Sequence, residues 1–137
     1  MNCAMKILFI EDDQVETMKM KRTLAKLQLK HELILAENGE DALNKLKDSS
    51  RLPDLILLDL NMPRMNGCEF LKAIKQDNSY KNIPSVVLTT SQNRDDLLDC
   101  YSSGIAGYVT KPLKYEDYIE KMRKVFAYWE VNDLLTV

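Results

Sequence analysis

Long apolar runs are missing from this chain of 137 residues, and none approaches the roughly 18 residues that a membrane-spanning helix needs. Near the start, a single Lys6 precedes a short apolar stretch, too brief for a secretory signal. These absences predict a cytoplasmic protein with no membrane association. Cysteine is scarce: Cys3, Cys68 and Cys100 are odd in number and lack metal-type spacing, which excludes a disulfide framework and a zinc site and leaves reduced thiols as the expectation. His31 is the only histidine, so no matched set of soft or borderline metal ligands exists, and its place before the second strand predicts a surface or strand-opening residue. A strong excess of charge of either sign is missing too, with 19 basic residues against 21 acidic. A net charge of −2 gives no general attraction to nucleic acid or an anionic membrane. Low-complexity linkers and internal repeats are absent.

What is present is the composition of a soluble globular protein, 45% hydrophobic and 29% charged, at a length that suits one domain. Apolar runs short enough to be strands fall at residues 7–10, 33–36, 55–58 and 86–88, with a weaker one at 108–109. Stretches of helical period separate them, such as Met20, Leu24 and Leu27 in the first and Phe70, Leu71 and Ile74 in the third. The run Asp54-Leu55-Ile56-Leu57-Leu58-Asp59 is apolar on both faces, as in a parallel strand covered by helices on both sides. The predicted fold is therefore α/β and doubly wound, with five parallel strands and five helices. Asn38-Gly39, Met62-Pro63, Asn66-Gly67, Ile83-Pro84, Gly104 and Pro112 punctuate the units.

The last helix is predicted to run from about Tyr115 past Trp129, with Tyr118, Met122, Val125 and Trp129 on one stripe and Phe126 beside it, a stripe expected to pack into the core. The chain divides into a main domain, residues 1–128, and an extension of that helix, residues 129–137. The extension is apolar beyond what five units need. Either it folds back over the domain's own edge, or it joins the fourth helix, fifth strand and fifth helix in an interaction surface containing Leu97, Tyr101, Tyr118, Phe126, Trp129, Leu134 and Leu135, where pairing with a second copy would give a two-fold homodimer.

In open α/β sheets, ligands sit at the carboxyl ends of the strands, and there this chain collects its acids. Glu11, Asp12 and Asp13 follow the first strand, Asp59 ends the third, Thr89 and Thr90 end the fourth, and Lys111 follows the fifth. Two carboxylates about 4 Å apart repel by roughly 4 kcal/mol at an effective dielectric near 20, so three together call for a cation or a raised pKa, and a divalent metal is the economical remedy. With oxygen donors only, the ion is the hard Mg²⁺. Such an ion keeps waters that a phosphate oxygen can displace; a carboxylate can be the nucleophile, and Thr89 and Lys111 can hold phosphoryl oxygens. Asp13 stands apart, because Asp13-Gln14-Val15-Glu16 has the shape of a capping box opening the first helix.

Over nearly its whole length the chain resembles the response-regulator receiver domains of two-component signalling. The resemblance is carried by Ile10-Glu11-Asp12-Asp13, Ala36-Glu37-Asn38-Gly39, residues 53–63 around Asp59, Asn66-Gly67, residues 84–91, and Gly107-Tyr108-Val109-Thr110-Lys111-Pro112-Leu113. It implies a flavodoxin-like fold of receiver type, with Asp59 as phosphoacceptor, Glu11 and Asp12 as the acidic pocket, and the Asn61 carbonyl as a further Mg²⁺ ligand. It makes Thr89 the switch hydroxyl, Lys111 the phosphoryl-binding lysine and Tyr108 the aromatic that rotates with the switch. It also implies a cis Lys111–Pro112 bond that aims the lysine into the crevice. Thr90 stands where relatives often carry Ala or Gly, so Thr89 and Thr90 compete for the hydroxyl role. Leu88-Thr89-Thr90-Ser91 and Phe126-Ala127-Tyr128-Trp129 are most similar to single-domain regulators that partner phytochrome-type histidine kinases. The resemblance implies a phosphoprotein that takes its phosphoryl group from a sensor histidine kinase or a phosphotransfer protein and signals by protein contacts.

Other functions fit less well. Phosphohydrolases of the haloacid-dehalogenase type place a second Asp two residues after the nucleophile; here that position is Asn61, so the general acid/base is missing. A flavodoxin-type cofactor binder needs a phosphate-cradling loop where Glu11-Asp12-Asp13 would repel the phosphate. A DNA-binding regulator would need a helix-turn-helix and a basic face, and neither stands out. A silent pseudo-receiver would lack some of the chemical positions, all of which are filled.

Overall fold

The structure, a computed structural model, describes residues 4–60, 62 and 65–134. Strand and helix alternate in the order β1 (Lys6–Ile10), α1 (Gln14–Lys26), β2 (Glu32–Ala36), α2 (Gly39–Asp48), β3 (Leu55–Leu58), α3 (Gly67–Lys75), β4 (Ser85–Thr89), α4 (Arg94–Ser102), β5 (Gly107–Thr110) and α5 (Tyr115–Glu130). All strand pairings are parallel and the sheet order is β2-β1-β3-β4-β5. The expected class is confirmed, and β1 lies at the point where the winding reverses. That reversal opens a crevice beyond the ends of β1 and β3.

Alternation along the strands builds two cores. Leu8, Ile10, Ile56, Leu58 and Val87 face Ala42 and Leu46 of α2, Phe70, Leu71 and Ile74 of α3, and Cys100 of α4. On the other face Ile7, Phe9, Leu55, Leu57, Val86 and Leu88 meet Met20 and Leu24 of α1 and Tyr118, Met122 and Phe126 of α5. Residues of β3 are wholly buried on both faces, which is why that run shows no polar alternation. Side chains start the helices: Asp13, Asn38, Asn66 and Asn93 each accept a backbone N–H in the first turn. A complete capping box forms at α3, between Asn66 and Glu69.

Several sequence expectations need correction. Tyr118 and Phe126 are fully buried, as a core stripe requires, and so do not join the interaction surface also expected of them, because the stripe they share with Met122 is the one that meets the sheet. Trp129 and Leu134 are partly buried against that same core; Leu135 lies outside the described residues. His31 stands at the entry to β2, one of its two expected places, but its side chain is not at the surface. Its side chain is 2% exposed, its Nδ1 accepts the Met5 N–H at 2.9 Å, its Nε2 meets Glu130 Oε2 at 2.8 Å, and its ring lies 5.6 Å from Phe126. The imidazole thus ties the start of β1 to the end of α5.

Candidate functional site

Two backbone hydrogen bonds position the acids. Glu11 N–H donates to the Ala36 carbonyl of β2 at 2.9 Å, and Asp59 N–H donates to the Ile10 carbonyl of β1 at 3.1 Å, so sheet pairing continues one residue past the strands. Glu11, Asp12 and Asp59 then each offer a carboxylate oxygen within 4.8 Å of the others. Glu11 is buried, Asp59 half-buried and Asp12 exposed, which grades the site from floor to mouth. Asp59 Oδ1 also accepts the Leu60 N–H at 2.8 Å. Gly67 allows this arrangement, since a Cβ there would stand 2.7 Å from the Asp59 carbonyl oxygen and 2.9 Å from Leu60 Cα.

Lys111 closes the other side. Its Nζ donates to Glu11 Oε1 at 3.0 Å and lies 3.5 Å from Glu16 Oε2, while its backbone N–H donates to the Thr89 carbonyl at 2.7 Å. No peptide bond among the described residues is cis, so Lys111–Pro112 is trans. The lysine is aimed by its backbone bond to β4 and by its two carboxylate neighbours, without the kink expected of that bond. Burial pushes the Glu11 carboxyl up to about 7; Lys111 opposes this, and the nearby charge of Asp59 adds to it. Burial also pushes Lys111 down, but the charge and hydrogen bond of Glu11, with Asp59 and Glu16 behind them, outweigh it and hold the ammonium above its ordinary value.

Thr89, buried at the end of β4, lies in register with Thr110 of β5, while Thr90 is exposed. Thr89 Oγ1 accepts the Ser91 N–H at 3.2 Å, the Ser91 carbonyl accepts the Tyr108 hydroxyl at 3.1 Å, and Ser91 Oγ donates to Asp96 of α4 at 2.7 Å. Ser91 therefore joins the Thr89 hydroxyl, the Tyr108 ring and α4 in one chain of contacts. Sequence reading assigned it no role. Glu16 was missed as well, because it was read as half of a capping box. Asp13 does cap α1 through the Val15 N–H at 2.9 Å, but Glu16 turns instead to Lys111 and Lys19. Asn61 lies outside the described residues.

A sequence model of the response regulator receiver domain matches residues 7–123. The chain belongs to the receiver-domain family. Among related receiver proteins, the response regulator Rcp1 of Synechocystis sp. is 36% identical over 90% of this chain and 87% of its own length. The phosphorylated cyanobacterial phytochrome response regulator RcpA superposes with a TM-score of 0.90 at 32% identity, covering 97% of this chain and 99% of its own. A Mn²⁺-bound form of Rcp1 superposes with a TM-score of 0.86 at 34% identity, covering 95% and 98%. This receiver domain is accordingly a phosphoacceptor signalling protein, and a phosphohydrolase role is not favoured. No helix among its described residues is long and apolar enough to cross a membrane.

The donors fit a hard divalent cation. The cluster offers carboxylate oxygens and neither imidazole nor thiolate, and at Glu11, which burial chiefly drives toward the neutral form with a smaller push from the charge of Asp59, a cation would favour the carboxylate.

Proposed function

We propose that Asp59 is the phosphoacceptor and that a phosphohistidine of a sensor histidine kinase, or of a phosphotransfer protein, is the donor. An Asp59 carboxylate oxygen attacks phosphorus, the P–N bond breaks, and the histidine nitrogen leaves with the electron pair. Glu11, Asp12, Asp59 and the Asn61 carbonyl would hold Mg²⁺, which when bound neutralises the oxygens gathered around the phosphoryl group. The observation that carries this reading is the meeting of three carboxylates within 4.8 Å beside an ammonium 3.0 Å from one of them.

After transfer, the Thr89 hydroxyl and the Lys111 ammonium hold phosphoryl oxygens. Moving the switch from mostly off to mostly on takes about 5.5 kcal/mol of differential binding, and charge-assisted hydrogen bonds of roughly 1.5–3 kcal/mol each supply it. Thr89 then leaves Ser91, and the change passes to Tyr108 and α4. The protein acts in the cytoplasm and catalyses only its own phosphoryl transfer and dephosphorylation. Its likeness to RcpA, a phytochrome response regulator, supports a phytochrome-type kinase as the donor.

Output passes through α4, β5 and α5 with the 129–137 extension. There Leu98, Tyr101, Tyr128 and Val131 are exposed, and a groove of about 440 Å³ runs between β5 and α5 past Tyr108 and Trp129. A second copy of the chain is the proposed occupant, giving a homodimer that phosphorylation tightens or loosens. Incubation with acetyl phosphate and Mg²⁺ should add one phosphoryl group to the intact mass, and Asp59→Asn should abolish the gain; an unchanged gain would move the acceptor elsewhere. Light scattering on the full chain and on a version ending at Tyr128, with and without a phosphoryl mimic, tests the dimer. One monomeric mass in all four samples would leave the surface to a different partner.

A further inference from the structure

Helix α4 is the least anchored helix of the sheet, and what anchors it is a thiol. Among its described residues Cys100 alone is buried, while Leu98 and Tyr101 stand half in solvent. Cys100 packs in the core shared with α3, and the partly buried Cys68, from the first turn of α3, packs against the same core. The two thiols are close enough to act on one another, and both are close enough to the Tyr108 hydroxyl for their charge to act on it. A cleft lined by Cys68, Lys72, Lys75, Asp99 and Ser103 opens this seam between α3 and α4 to solvent. A buried cysteine by itself is an ordinary small hydrophobe, but a second thiol in contact with it, reached by an open cleft, allows chemistry.

We propose that Cys68 and Cys100 form a reversible cystine under peroxide, stapling α4 to α3 and setting the state of the switch independently of phosphorylation. Cys68 takes the first step. It lines the cleft, where peroxide reaches it, while Cys100 is fully buried. An S–O bond forms as the O–O bond breaks, hydroxide leaves and takes the thiol proton as water, and Cys68 becomes a sulfenic acid. Cys100 Sγ then attacks Cys68 Sγ, the S–O bond breaks, and a second water departs with the Cys100 proton. Two thiols have lost two electrons and one peroxide has been reduced to two waters.

Burial, reinforced by Cys68, pushes the Cys100 thiol up to about 12, which keeps it from the first attack; as the resolving thiol it attacks a sulfur held beside it and gives its proton to the departing hydroxide. The movement that brings the sulfurs to bonding distance falls on α4, since a helix with one buried side chain yields before α3, which buries Gly67, Phe70, Leu71 and Ile74. A stapled α4 holds Asp96, and through it Ser91 and Tyr108, in one position.

The full chain treated with hydrogen peroxide should lose two hydrogen atoms in intact mass, and trypsin should release residues 65–72 joined to residues 95–114, reversibly with dithiothreitol. Hydrogen exchange of the α4 amides should slow by about tenfold or more in the oxidised form, because the staple blocks local opening of that helix. Cys68→Ser, at a half-exposed position, should abolish both effects without changing the fold, and Cys100→Ala provides a second variant. In the reduced native protein, iodoacetamide should modify Cys68 and spare Cys100. A bridge that includes Cys3, over-oxidation of Cys68 with no bridge, or α4 exchange unchanged in the bridged protein would overturn the proposal.

Discussion

Replacing Asp12 by Asn should stabilise the metal-free protein while removing much of its response to Mg²⁺. Asp12 offers an oxygen within 4.8 Å of oxygens on Glu11 and Asp59, so its charge works against two neighbours. At 4.8 Å the repulsion is about 0.9 kcal/mol per pair in a water-like dielectric and about 3.5 kcal/mol at an effective value near 20. Because Asp12 is exposed, the lower figure applies, and at a pH above the value of about 7 to which Glu11 is raised, where both neighbours are charged, two such pairs give about 1.7 kcal/mol. Against this, a negative charge just ahead of α1 favours that helix by about 0.3–0.5 kcal/mol, and the variant gives that up. The net expectation is a gain of about 1 kcal/mol, seen as a rise of about 0.5 M in the urea midpoint in EDTA at low salt. Added NaCl should shrink the gain, since exposed charges are screened. At ten times its dissociation constant, Mg²⁺ should stabilise the native protein by about 1.4 kcal/mol and the variant by much less. If Asp12→Asn is no more stable than the native protein in EDTA, or keeps the full Mg²⁺ gain, then the carboxylates do not oppose one another as their geometry indicates.

Gly67→Ala should cost about 1–3 kcal/mol and slow phosphorylation, because the new Cβ meets the Asp59–Leu60 backbone and not a yielding side chain; acetyl phosphate kinetics beside a urea curve would show both. His31→Leu should cost about 2–3 kcal/mol by orphaning the Met5 N–H and the Glu130 carboxylate, whereas Glu130→Gln, which still accepts from Nε2, should cost less than about 1 kcal/mol; equal losses would show that the imidazole acts by packing alone. Thr89→Ala should still accept phosphate yet fail to give the active-state NMR shifts at Tyr108 and Ser91, and Thr90→Ala should shift normally; the reverse result would transfer the role to Thr90.

The fold was legible because β1, β3 and β4 are buried on both faces and each helix on one, so apolar runs and helical stripes alternate there without ambiguity, while the edge strand β5, half-buried along its length, gave the weaker signal. Glu11, Asp12, Asp59 and Lys111 were legible because the winding of such a sheet puts strand ends together. Glu16 was not, since Asp13-Gln14-Val15-Glu16 fits a capping box and only proximity in space reveals Lys111 as its partner. A lone histidine carries no periodicity, so nothing marked His31 as buried. The stripe of α5 was visible, but which of its apolar residues face the sheet depends on how the helix is rotated against β1 and β3, and that sends Tyr118 and Phe126 inward.

The ion pair between Lys111 and Glu11 spans 100 positions of the chain. Its halves come from the first and last strands, at opposite ends of synthesis, so a nascent chain presents the acids long before the ammonium that balances them. Until β5 docks, the pocket carries three carboxylates without their lysine and is least suited to receive a phosphoryl group. Competence is thereby confined to finished molecules, and slow steps in closing this non-local contact delay signalling and not only folding. By the same reasoning, any substitution that loosens β5 from β4 should register as lost phosphorylation before it registers as lost structure, because the lysine departs with the strand while the other four strands remain paired.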